Sequence, residues 1–174
     1  VRAAILSDRD IEPELPGTMD NIYQVFKVAA PLLFEIEEKI DYEPTADKSF
    51  AERAKREDKD YEEFMYDFLI KDDGSHFAIM LGSNFCNFTH DAIHEMLTHP
   101  ETVTGLSDAG AHVTLIFDGV APTYQLTHWA RDRSRGAKIP LEYIVQKQSH
   151  RNAELYGLHD RGSLEVGKKA DINV

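Results

Sequence analysis

Cysteine is almost missing from this chain. Cys86 is the one copy, so no disulfide can close within the chain, and a reducing cytoplasm suits it. Long apolar runs are missing too. None approaches the roughly 20 residues that span a bilayer. Residues 1–10 (VRAAILSDRD) hold no apolar stretch of signal-peptide type. Positive charge is scarce: 19 Lys and Arg stand against 31 Asp and Glu, a formal net charge of -12. Such a surface repels phosphate backbones and anionic lipid, which argues against nucleic-acid and membrane partners. The sequence has no H-x-H, no glycine-rich phosphate loop, no G-x-S-x-G and no C-x-x-C. Internal repeats and low-complexity stretches are absent as well. What is there is a globular composition: 174 residues, 42% hydrophobic, enough for one domain or a little more and for a packed core. The chain opens at Val1 and stops at Val174 inside an alternating run, Ala170-Asp171-Ile172-Asn173-Val174, that reads as a strand. The expectation is a segment of a longer cytoplasmic protein.

The periodicity is uneven. Residues 1–7 read as the tail of a helix, 12–17 as a turn, and 21–30 fit either a strand or a helix. Residues 34–42 (FEIEEKIDY) are acidic and are closed by Pro44. Ser49-Phe50-Ala51-Glu52 has capping-box form: the serine should serve the Glu52 amide while the glutamate reaches back. Asp60 repeats the signal before Tyr61, Phe64, Met65, Phe68 and Leu69, one apolar stripe of a helix, with Gly74 as its stop. Residues 77–81 (FAIML) and 102–106 (TVTGL) read as strands buried on both faces, with a helix from about 89 to 99 between them. Pro122 and Pro140 each suit the first turn of a helix, and 149–158 reads as a further helix stopped by Gly157. Residues 162–174 read as strand, turn at Gly167, strand. Strand and helix alternate over 77–135, which predicts an α/β fold with a parallel sheet.

In such sheets the chemistry lies at the C-terminal ends of the strands. That rule points to Gly82-Ser83-Asn84 and to Ser107-Asp108-Ala109-Gly110-Ala111-His112. A carboxylate followed by small residues leaves open space before it, so Asp108 could coordinate a cation or take a proton from water. The plainer reading of Asp108 is an Asx turn or a cap. His90 and His94 stand at i and i+4, the geometry of metal-binding helices. Ile93, Met96 and Leu97 take the inner face, so both histidines are expected in solvent. Arg131-Asp132-Arg133-Ser134-Arg135 reads as a solvated helix face.

Residues 105–113 (GLSDAGAHV) resemble the end of the last barrel strand in the N-acyl-D-amino-acid deacylase (D-aminoacylase) branch of the amidohydrolase superfamily. Asp41-Tyr42-Glu43-Pro44, Tyr66-Asp67 and Asp72-Asp73-Gly74 are similar to the region leading up to that strand, and Leu97-Thr98-His99-Pro100 to the passage just before it. Thr127-His128-Trp129-Ala130-Arg131-Asp132-Arg133, Asn152-Ala153-Glu154-Leu155-Tyr156-Gly157-Leu158 and Asp160-Arg161-Gly162-Ser163-Leu164, with Gly167 and Ala170-Asp171, resemble the family's segments C-terminal to it. The likeness covers most of residues 41–174. It implies the C-terminal portion of a (β/α)8 barrel over residues 1–160, with an insertion at about 31–75, and the start of a small β-domain over 161–174.

The resemblance further implies a zinc-dependent hydrolase that cleaves a linear amide, such as an N-acyl-D-amino acid, to a carboxylate and a free amine. Asp108 matches the family's aspartate after the last strand, both a ligand of one or two zinc ions and the proton carrier. Ala109 stands where many relatives have glycine. The other expected ligands are absent from these residues, and Cys86 comes too late in the strand order to be a bridging thiolate. The segment alone is therefore expected to be inactive, and to associate with the remainder of its barrel or with itself. The alternative is a non-catalytic, acidic, helix-rich interaction module.

Overall fold

The computed structural model describes residues 1–7, 28–105, 107, 109–110 and 118–173. They fall into two compact units, Val1–Thr89 and His90–Val174. Among the described residues no helix is long and apolar enough to cross a membrane.

The first unit holds α1 (Arg2–Ser7), β1 (Leu33–Glu35), α2 (Phe50–Arg56), α3 (Tyr61–Ile70) and β2 (Ala78–Met80). β1 and β2 pair antiparallel, with Leu33 opposite Met80, Phe34 opposite Ile79 and Glu35 opposite Ala78. Successive strand side chains point to opposite faces, and here that alternation divides the core in two. Leu33 joins Phe50, Ala54, Phe64 and Phe68, whereas Phe34 and Ile79 join Phe85. Phe50 packs edge-on to Phe64 and Phe68, at centroid distances of 5.4 and 4.6 Å. The α3 stripe was legible in the sequence because Phe64 and Phe68, four residues apart, stack on one face. Ser49 caps α2 by accepting from the Glu52 amide at 3.3 Å, and Asp60 caps α3 by accepting from the Glu62 amide at 3.0 Å. α3 is followed by a left-handed turn in which Asp72, Asp73 and Gly74 all have positive φ (47°, 57° and 76°).

The second unit holds α4 (Asp91–Thr98), α5 (Ala121–Tyr124), a π-helix (Gln125–Asp132) that continues α5, α6 (Leu141–Gln148) and α7 (His150–Leu155). Its core is Trp129, Ile139 and Ile144, flanked by Ile93, Leu97, Tyr124, Leu126 and Tyr143. α4 presents Ile93 and Leu97 to this core, as their spacing predicts.

Three expectations need correction. Strand 77–81 is not buried on both faces: β2 is shorter, antiparallel, and preceded by Phe77 at 67% exposure. Its partner, β1, runs into the start of the acidic stretch, where the pattern hid its strand character. Residues 102–105 form no strand; Thr102 donates its hydroxyl to Met96 O and His99 O, and Thr104 accepts from the Asn152 amide. Residues 162–173 likewise form no strand, although the turn at Gly167 is present with φ 91°. The described residues are thus helix-rich α/β with one small sheet.

Candidate functional site

Asp108, the residue on which the sequence reading rests, lies outside the described residues, as does His112. The other strand-end candidate, Gly82-Ser83-Asn84, is an exposed turn with Asn84 at φ 63°. Ser107, Ala109 and Gly110 flank Asp108, and the chain that leads to them is held along much of its length by one helical face. Tyr143 on α6 donates to Thr98 O at 3.0 Å. Lys147, one turn on, donates to Leu97 O, to His99 O (3.2 Å) and to Thr102 Oγ1 (2.7 Å). On α7, Arg151 donates to Pro100 O at 2.6 Å and Asn152 to Thr104 Oγ1 at 3.2 Å. The spacing 143, 147, 151 keeps these donors on one side of consecutive helical turns. Two of the acceptors, Leu97 O and Thr98 O, are carbonyls that α4 leaves unpaired at its C-terminus. Lys147 is only 5% exposed, and burial, with Arg151 nearby, pulls its pKa below the ordinary lysine value.

The second feature is an aromatic and imidazole cluster around Trp129. His90, expected in solvent, is 5% exposed. Its ring lies 5.6 Å from that of His128, centroid to centroid, and 5.9 Å from Trp129. One ring nitrogen of His90 and one of His128 are within 4.8 Å of each other. Tyr124 stacks on His128 at 4.8 Å with 10° between planes, and its hydroxyl is 3.4 Å from His90 Nδ1. His94 also touches the Trp129 ring, at 6.0 Å. The helical pair His90 and His94 is therefore not the arrangement that the fold builds; it brings His90 to His128 instead.

The π-helix makes this possible. Its wider turn, closed by Arg133 N–H donating to His128 O at 2.8 Å, sets Tyr124 and His128 face to face. Such turns are frequent at functional sites. The turn also buries Arg133, which the sequence reading placed in solvent. Its guanidinium sits 4.9 Å from the Trp129 ring and donates to Asp91 Oδ1 (2.6 Å) and Ala137 O (2.8 Å). Gly136 is required beside it, since a Cβ there would lie 2.4 Å from the guanidinium. The i, i+4 pair of Tyr124 and His128 was visible in the sequence. The π-turn that stacks them was not, because no apolar period marks it.

Chemically, two buried imidazoles with nitrogens this close are the donor type that zinc takes, two of the usual four ligands. Elsewhere in this unit an open cavity of about 260 Å3 is lined by Ser149, Asn152, Tyr156, Leu158, Arg161 and Asp171. The Arg161 guanidinium in its wall is already met by Asp160 and Asp171, at 3.0 and 3.2 Å.

A family model described as "Amidohydrolase family" matches residues 17–174. No curated protein and no solved structure matches the chain.

Proposed function

The chain belongs to the amidohydrolase family, a family of hydrolases, and from that premise we propose that it is the C-terminal part of a zinc-dependent enzyme that hydrolyses linear amides of the N-acyl-D-amino-acid type. The observation that carries this reading is the family match over 17–174, which includes the Ser107-Asp108-Ala109-Gly110 passage. Within it, residues 1–160 supply the end of a (β/α)8 barrel and 161–174 begin a small β-domain.

Asp108 is the proposed catalytic carboxylate and a metal ligand. It takes a proton from the attacking water as the water oxygen bonds to the acyl carbon. It then gives that proton to the nitrogen as the C–N bond breaks, leaving a carboxylate and an amine. Zinc, when bound, polarises the carbonyl and lowers the pKa of the water. His90 and His128 are imidazoles able to hold such an ion. The donors on α6 and α7 keep residues 97–104 in one path. The 174-residue chain alone is proposed to be inactive, and to dock with the remainder of its barrel or with a second copy, in the cytoplasm.

The test uses the longer protein that carries this segment, loaded with Zn2+ and offered N-acetyl-D-amino acids, their L-enantiomers and cyclic amides. Asp108→Asn is expected to lower kcat by at least about 100-fold, within the range for loss of an acid–base group, with an unchanged circular dichroism spectrum. Near-normal turnover by that variant rules out the proton-carrier role. Hydrolysis confined to cyclic amides rules out the substrate class.

A further inference from the structure

His76 is set between two carboxylates of the first unit. Its Nε2 is 2.8 Å from Asp72 Oδ2 and its Nδ1 is 3.3 Å from Glu35 Oε1. Around them, the Phe68 ring of α3 packs edge-on to the imidazole at 5.4 Å, and Arg53 of α2 donates to the other Glu35 oxygen at 2.8 Å. Lys71 adds positive charge near Asp72.

The chemistry of this arrangement is restrictive. A neutral imidazole has one N–H and one lone pair, so it can donate to one carboxylate only and turns a lone pair on the other. An imidazolium donates to both. The carboxylates do not supply the missing proton at neutral pH. The hydrogen bond with His76 holds Asp72 below its ordinary pKa. Burial pulls Glu35 up, but Arg53 and His76 together bring it below its ordinary value.

The second observation is the backbone. Asp72, Asp73 and Gly74 are three consecutive left-handed residues, two of them with side chains. Left-handed backbone is costly for residues other than glycine and persists where surrounding contacts hold it. In this turn, the contacts at hand are the His76–Asp72 bond and the Ser75 amide donating to Asp72 O at 3.3 Å.

We propose that His76 is a proton-operated latch on the turn Lys71–Gly74. As imidazolium it ties the turn to β1 through Asp72 and Glu35 together. As neutral imidazole it keeps one of the two and releases the other, and the turn is no longer tied to β1. The latch stands independently of the amide-hydrolase reading, since it uses no residue of that site.

The experiment is a 15N NMR titration of the 174-residue chain between about pH 5 and pH 8.5, the range in which histidine changes charge. The His76 ring nitrogens and the amides of Asp72, Asp73, Gly74 and Ser75 are followed together. Ring and turn are expected to move with a common midpoint, and Ser75 amide exchange, corrected for intrinsic base catalysis, to quicken about two- to fivefold above it, as loss of one exposed ion pair implies. In His76→Phe, which keeps an aromatic edge for Phe68, the turn amides are expected to be indifferent to pH. Asp72→Asn gives a second route, because asparagine tolerates left-handed backbone. There the ring still titrates and the turn no longer follows it. A turn that moves with the same midpoint in either variant overturns the latch, as does a wild-type ring that titrates while the turn stays still.

Discussion

The two units solve the same problem, the burial of a small core, with different chemistry and different charge: the first carries 20 Asp and Glu against 10 Lys and Arg, the second 11 against 9. The first is held by phenylalanine. Phe50, Phe64 and Phe68 interlock on one side of the sheet, and Phe34, Phe85 and Phe88 on the other. Ion pairs such as Arg2 with Glu63 and Asp67 lie at its surface, where such pairs contribute little. The second is held by one tryptophan and by buried cations. Trp129, 1% exposed, gathers His90, His94, His128 and Arg133 around it. Lys147 and Arg133 send their protons to backbone carbonyls. An apolar core tolerates changes of shape better than changes of charge. A core stitched by buried donors is costlier to cut, because each lost donor leaves a carbonyl dry and unpaired. The lesson is that the first core is held by apolar contact and the second by buried donors, so the two should fail under different perturbations.

The sharpest way to break this contrast is Trp129→Ala. Removing a fully buried tryptophan is expected to cost about 3–5 kcal/mol, and the loss should be confined to the second unit. Hydrogen exchange read helix by helix checks it: α4, the π-helix and α6 should lose protection, while α2 and α3 keep theirs. Equal loss in both units would show that the two cores fold as one.

The next contrast is in pH, and the two units respond in different windows. Glu35 and Asp72 have pKa values below the ordinary carboxylate range. Between the folded and unfolded values the unfolded chain binds more protons, so the first unit loses stability as the pH falls through that window, at and below about pH 4. Lys147 has a lowered pKa, chiefly from burial. Between its folded value and the ordinary lysine value of about 10.4, the unfolded chain again binds more protons. The second unit therefore gains stability as the pH rises through that window. Lys147→Met is expected to flatten this alkaline rise while lowering stability at neutral pH by about 2 kcal/mol, the scale of hydrogen bonds to a charged group. Urea melts at pH 7 and pH 10, followed by tryptophan fluorescence, measure both effects, and an alkaline rise of unchanged slope in the variant would remove Lys147 from the account.

The same division decides what the sequence could tell. α2, α3, α4 and α6 were legible because capping residues, prolines and apolar stripes act locally. The family was legible from residues 105–113 and the segments after them. The partner of β2 was not, since a three-residue strand, Leu33–Glu35, has no period long enough to read. The histidine cluster was not, because His90 and His128 are 38 positions apart in the sequence and meet only through a π-turn. Burial of Arg133 and Lys147 was hidden for a related reason. Each looks like a surface residue until the carbonyls that it serves are in place.

The finest contrast lies in how the helices begin. Ser49 and Asp60 cap α2 and α3 with their side chains, whereas α4, α6 and α7 start without a side-chain cap. Ser49→Ala is thus expected to cost about 1 kcal/mol, the usual worth of such a cap. Ser149→Ala, at the start of α7, should cost only a few tenths, because that hydroxyl donates back to Val145 O at 2.6 Å and caps nothing. The capping box at Ser49 is also half a box. The Ser49 amide already donates to Ala46 O at 3.0 Å, and Glu52 turns to Lys55 at the surface. Glu52→Ala should then cost less than about 0.5 kcal/mol and add to Ser49→Ala without coupling. A coupling energy near 1 kcal/mol in that double-mutant cycle would mean that the glutamate does reach back in solution, and that the first unit is capped as its sequence first suggests.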